Sequence, residues 1–252
     1  MIPSSTSRWL LLDLGNTRLK WAWTRDGRIE DVAAVAHAGE AWRDAVAAAW
    51  RGAPAPRRIL LAAVAATAVV DAVRELAAGS FPGVAPESIQ SPGSADGWRS
   101  AYAEPARLGV DRYLAMRGAM SLQSGAVLVA GCGTAVAIDV VDARGLHRGG
   151  LIAPGPALMR ESILVRTGRV DWRREGAVRW LGADTEDALQ SGCWQAAAGL
   201  IEHVAAAAAR ELGAAPALLL HGGDAPRVAG LLGIAARIEP ELVFEGMLRH
   251  AR

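Results

Sequence analysis

The sequence predicts an α/β protein built as two similarly planned halves. Apolar runs of strand length alternate with segments of helix length, as where "RRILLAAVA" is followed by "AVVDAVRELAAG". The segments "LLLDLGNTRLKWAW" and "VLVAGCGTAVAIDVV" share one pattern: an apolar strand, a turn carrying Gly then Thr, and a second strand. With 252 residues, 52% of them hydrophobic and 21% charged, the chain suits one large domain or two modest ones, each able to bury a core.

The elements follow in order. "LLLDLGNTRLKWAWTRDGRIEDVAAV" reads as strand, tight turn, strand, Asp-Gly turn and strand, an antiparallel meander. "AWRDAVAAAWRG" reads as a helix and "RRILLAAVA" as a buried strand. "AVVDAVRELAAG" is a second helix, with Gly79 as its expected C-terminal cap. Phe81 to Ala106 is rich in Pro, Gly and Ser and reads as a loop or a weakly structured crossing between halves. "GVDRYLAMRGAMSLQ" is a helix entered at Gly109-Val110-Asp111. Strand, turn, strand, turn, strand follow in "AVLVAGCGTAVAIDVVDARGLHRGGLIAPG". The long helix "TEDALQSGCWQAAAGLIEHVAAAAARELG" ends near Gly213, and "ALLLHGGDAPRVAGLLG" supplies a strand, a Gly-Gly turn and a helix. The expected division is an N-terminal lobe over 1–108 and a C-terminal lobe over 109–252.

Composition excludes several classes. A formal net charge of +1 leaves no basic field to draw in nucleic acid or an anionic membrane. Cys132 and Cys193 form no C-x-x-C pair, so neither a zinc signature nor a disulfide framework is present, and reduced thiols in a cytoplasmic protein are expected. The N-terminal apolar stretch is short and is cut off by Asp13, so no export signal or membrane span is expected. Lys20 is the only lysine and Trp21 follows it, which excludes a P-loop. The five histidines show no metal spacing. His221 reads as a strand-end residue, and the nine tryptophans as core or interface material.

The turns carry the chemistry. Glycine permits close backbone approach and positive φ, and successive N–H groups in such turns bind anions. A carboxylate beside phosphates makes sense only through a divalent cation, and magnesium takes one or two carboxylates, waters and phosphate oxygens. Asp13 is therefore read as facing hydrated Mg²⁺, with Gly15, Asn16 and Thr17 cradling phosphates; taken alone, the turn also fits an Asp that caps its own hairpin. Gly131-Cys132-Gly133 resembles the start of a dinucleotide fingerprint, but "AVAIDVV" continues as a strand where a helix must open, which argues against it. Asp111, beside Arg112 and a flexible glycine, suits a general base for a substrate hydroxyl, although Asp is also favoured at any helix start.

With "DLGNT", "LGVDR", "GTA", "GGLIAPG" and "HGG" in this order, the chain resembles the type III pantothenate kinases, a family that includes the Bvg accessory factors. The resemblance implies a two-lobed ribonuclease H-like fold with a duplicated βββαβα core, shared with actin-like ATPases and with acetate and sugar kinases. It implies phosphorylation of pantothenate to 4'-phosphopantothenate, using ATP and Mg²⁺, in a cytoplasmic homodimer at the first step towards coenzyme A. By motif position, ATP meets Asp13, Leu14, Gly15, Asn16, Thr17, Arg18, Leu19 and Lys20, with Asp13 nearest the metal. Mg-ATP is expected between this turn and the turn at Gly133 and Thr134. Gly222 and Gly223 match the adenosine-side turn, with His221 where the family often has Thr. Asp111 matches the catalytic base. Tyr102, Gly109, Val110 and Arg112 match pantothenate contacts, and Thr185 matches a threonine reaching pantothenate across a dimer interface.

One departure stands out. The family usually reads Asp-x-Gly-Thr at the second hairpin, and that aspartate binds potassium or ammonium; here the position is Gly131. Either the cation is not used, or carbonyls and another carboxylate replace the ligand, or activity is weakened. Asp139 is the nearest acidic residue on that hairpin, and Ala137 stands where the family often has a hydroxyl. Two alternatives follow: a kinase-like regulatory or binding protein with weakened catalysis, or another small-molecule kinase of the superfamily, acting on an acetate-like acid or a sugar.

Overall fold

The computed structural model describes residues 8–95, 97–166 and 174–251. The export reading rests partly on residues 1–7, outside that set; no helix among the described residues is long and apolar enough to cross a membrane. In chain order the elements are β1 (Trp9–Leu14), β2 (Arg18–Arg25), β3 (Arg28–Ala36), α1 (Ala41–Trp50), β4 (Arg58–Ala63), α2 (Thr67–Ser80), β5 (Pro86–Ser88), β6 (Ser94–Ala95) and β7 (Trp98–Arg99). There follow α3 (Val110–Leu122), β8 (Val127–Cys132), β9 (Ala135–Val141), β10 (His147–Pro154), α4 (Pro156–Arg166), α5 (Thr185–Leu212), β11 (Ala217–His221), α6 (Ala225–Ala229), β12 (Arg237–Ile238) and α7 (Leu242–His250).

The chain forms two compact units. The first holds residues up to Gly93, then Glu104–Ser121 and Val243–Arg252; the second holds Ser94–Ala103 and Leu122–Leu242. Most of α3 and almost all of α7 group with the first unit. A Cβ on Gly246 of α7 would overlap the Leu114 carbonyl of α3, so the two helices pack backbone to backbone there.

Each unit contains a five-stranded sheet of the same order. In the first it is β3-β2-β1-β4-β5, and in the second β10-β9-β8-β11-β12. In both, the opening three strands are antiparallel and the next two join in parallel, through register pairs such as Leu12↔Leu61 and Leu219↔Val129. Parallel neighbours require crossover connections, which the intervening helices supply. The duplicated plan inferred from two similar hairpins thus extends to whole sheets.

The cores explain the composition. Leu10, Leu12, Leu14 and Leu19 pack with Trp21, Trp23, Trp42, Trp50 and Phe81 in the first unit. In the second, Leu128, Val136, Ile138, Trp194, Ile201 and Leu220 form the corresponding cluster. Most tryptophans are therefore core material, whereas Trp180 is 84% exposed.

Two local expectations are corrected. Gly79 is not the cap of α2; the helix runs on to Ser80 and ends at Phe81, whose N–H bonds to the Ala77 carbonyl and whose ring is buried. The anchoring of that ring against Trp23 and Trp50 sets the end, rather than a left-handed glycine. The Phe81–Ala106 stretch is also not wholly loop: β5 extends the first sheet, and β6 with β7 forms a small hairpin.

Candidate active site

The first hairpin is built at the ends of β1 and β2. Asp13 and Lys20 face each other in register, and the Lys20 ammonium lies 3.5 Å from Asp13 Oδ2. Asp13 is buried, and burial pushes its carboxyl above the usual range; the Lys20 charge pulls it down and the Asp111 charge pushes it up again. Asp13 and Asp111 therefore lie within electrostatic reach, although about a hundred residues separate them in sequence. Asn16, Thr17 and Arg18 are exposed at the tip, whereas the Leu14 and Leu19 side chains are wholly buried, leaving only their backbone for any ligand.

The Gly15 N–H bonds to the Arg18 carbonyl at 3.0 Å, and the Gly15 carbonyl meets His37 Nε2 at 2.9 Å. Gly15 does not have positive φ, and a Cβ there would come no nearer than 3.6 Å to the Arg18 oxygen. The positive φ that a turn glycine can adopt is therefore not used at Gly15. His37, unmarked in the sequence, is the group that holds this turn from outside.

Asp111 stands in the first turn of α3, where its Oδ1 accepts the Arg112 N–H at 2.9 Å. A Cβ on Gly109 would lie 2.7 Å from that oxygen, so glycine is what lets the carboxylate fold back over the helix start. Val110 and Arg112 are buried.

In the second unit three of the motifs converge on the β8–β9 turn. The Gly133 N–H bonds to the Ala135 carbonyl, Gly155 N–H to the Thr134 carbonyl and Asp224 N–H to the Cys132 carbonyl. A Cβ on Gly155 would overlap the Gly133 oxygen, and one on Gly222, at φ +95°, would overlap the Cys132 oxygen. Gly133 has open space and Thr134 is exposed, so the turn presents backbone and a hydroxyl outward. Asp224, missed in the sequence, starts α6 beside this turn; burial raises its carboxyl and the Arg227 charge lowers it. Burial pushes the Cys132 thiol up to about 12, which makes it inert near neutral pH.

Asp139 does not serve as a spare carboxylate. It is buried, and its Oδ1 lies 2.9 Å from His147 Nε2. The His147 ring is stacked on Tyr102 at 5.9 Å and on Trp98 at 6.2 Å. Thr185 is exposed at the start of α5, behind the Asp184 cap. Next to it, the Ala177 N–H and the guanidiniums of Arg174 and Arg179 hold the Asp187 carboxyl well below the usual range. Among the described residues no group of three or more His, Cys, Asp or Glu is gathered for a metal.

The profile of a family described as type III pantothenate kinase matches residues 9–207. Type III pantothenate kinases of Xanthomonas campestris pv. campestris (strain B100) and Xanthomonas oryzae pv. oryzae (strain PXO99A) are each 42% identical over 241 residues, covering 96% of this chain and of the relative. Among solved structures, a Baf family protein from Campylobacter jejuni superposes with a TM-score of 0.57 at 19% identity, covering 94% of each chain. The activator of 2-hydroxyisocaproyl-CoA dehydratase from Clostridium difficile, solved with bound ADPNP, does so at 0.52 with 10% identity, covering 96% of this chain and 91% of that one. The structural likenesses show a shared fold, and on the sequence matches the chain belongs to the type III pantothenate kinase family.

Proposed function

We propose that this chain phosphorylates pantothenate with ATP, giving 4'-phosphopantothenate and ADP. The observation that carries the mechanism is the pair of carboxylates Asp13 and Asp111, one buried and each within reach of the other's charge. Two acids within electrostatic reach of each other, with the Lys20 ammonium beside Asp13, make a carboxylate pair suited to Mg²⁺. When bound, Mg²⁺ would neutralise phosphate charge beside Asp13, through water.

The backbone N–H groups of the Asp13–Lys20 turn and of the Gly133–Thr134 turn bind phosphate oxygens, and Gly222 and Gly223 take the adenosine side. Asp111 accepts the proton of the pantothenate hydroxyl as its oxygen forms a bond to the γ-phosphorus and the bond to the ADP oxygen breaks. Tyr102, Gly109, Val110 and Arg112 hold pantothenate. Asp111 fits the base because its Oδ1 is already steered by the Arg112 N–H and because Gly109 gives it room.

The chain acts as a cytoplasmic homodimer, with Thr185 reaching pantothenate from the partner. Supporting this, Leu151 and Ile152 of β10, Ile163 and Val165 of α4, and Trp180 and Leu181 just before Thr185 are exposed apolar side chains of the second unit. The test is ADP release from ATP and Mg²⁺ with and without pantothenate, together with light scattering for the dimer. Binding of both substrates by calorimetry without turnover would instead favour the regulatory scaffold.

A further inference from the structure

Two of the departures from the family pattern, Gly131 and His221, are register partners. β8 and β11 run parallel and pair these residues at their ends. A Cβ built on Gly131 would lie 2.9 Å from His221 Nε2 and 3.2 Å from its Cε1. The imidazole edge thus occupies the volume into which a side chain at 131 would extend. Its backbone is held in place by the next residue, Gly222, packed against Cys132.

A monovalent cation at this place needs a shell of oxygen ligands. Gly131 offers no carboxylate, and an imidazole nitrogen stands where one would begin. Asp139, the nearest acid along the hairpin, does not substitute, because its carboxylate is committed to His147. The residues present do not fit the cation.

We propose that this chain turns over without a monovalent cation, and that the His221 imidazole takes its place beside the second phosphate turn, donating a ring N–H to an ATP oxygen. The inference rests on the kinase reading above. A ring donor and an excluded volume together replace a carboxylate and its ion, so the glycine and the histidine are one exchange rather than two losses.

The test measures pantothenate-dependent ADP release in potassium, ammonium, sodium and choline chlorides at equal ionic strength. Rates within about three-fold of one another are expected; potassium or ammonium exceeding choline by more than about three-fold overturns the proposal. His221→Ala should raise KM for ATP by about ten-fold and leave KM for pantothenate unchanged; an unchanged KM for ATP overturns the donor role. The double variant Gly131→Asp/His221→Thr should gain a potassium response, and a folded double variant that stays flat overturns the exchange. Crystals soaked in rubidium give a readout free of activity, and an anomalous peak at the Gly131–Thr134 turn overturns the claim. Absence of ADP in every salt would be a failure of the kinase reading instead, and the rubidium soak would still decide the cation.

Discussion

Asp13 and Lys20 oppose each other across the first hairpin, Oδ2 to Nζ at 3.5 Å, and the pair does not fully offset the burial of the acid. Burial raises the Asp13 pKa, so folding favours its protonated form. That contribution is complete below the ordinary carboxylate pKa of about 3.9 and is lost as pH rises through the folded-state value. Burial thus makes the ionised form of Asp13 unfavourable to folding in the ligand-free protein. Asp13→Asn should raise Tm without ligand by about 2–4 °C while lowering kcat roughly 10²-fold or more. Calorimetric scans and ADP assays on the same preparation check both; a lower Tm would mean that Lys20 outweighs burial.

Asp111→Asn should lower kcat roughly 10²–10⁴-fold with little change in pantothenate binding, as loss of a base requires. Gly109→Ala tests the same carboxylate indirectly. The new methyl would sit 2.7 Å from Asp111 Oδ1 and must displace it, so kcat should fall while circular dichroism stays that of the wild type.

Glycines on the two turns should respond differently. Gly222→Ala places a methyl against the Cys132 carbonyl at a positive φ, and should lower Tm by several degrees, about 1–3 kcal/mol of strain. Gly15→Ala meets only an ordinary 3.6 Å contact, so Tm should hold while KM for ATP rises. Unchanged ATP kinetics in Gly15→Ala would remove this turn from the nucleotide site.

The stack of His147 on Tyr102 gives a further prediction. Asp139 fixes the imidazole, and the imidazole supports the tyrosine ring. His147→Ala should raise KM for pantothenate about two- to ten-fold and leave KM for ATP unchanged, the worth of one aromatic pair. His147→Phe should recover most of the loss; a parallel rise in both KM values would indicate general disruption.

The meander, the buried β4 and the long α5 were legible because their apolar patterns and caps agree, as at Gly213, which adopts the left-handed conformation expected of it. The ordered motifs also marked Asp13, Asp111 and the second turn. What escaped was set by tertiary contact. Phe81 ends α2 by packing, β5 is three residues with no pattern of its own, and α3 and α7 join the first unit through a close approach at Gly246. The partnership of His221 with Gly131 depends on strand register between residues 90 apart, which no local signal carries.

The most direct measurement is coupled ADP release on purified protein with ATP and Mg²⁺, with the phosphorylated product identified by mass. Release that requires pantothenate, yields 4'-phosphopantothenate and collapses in Asp111→Asn is the expected result. Release at an equal rate without pantothenate, or faster turnover of a sugar or acetate-like acid, would contradict it.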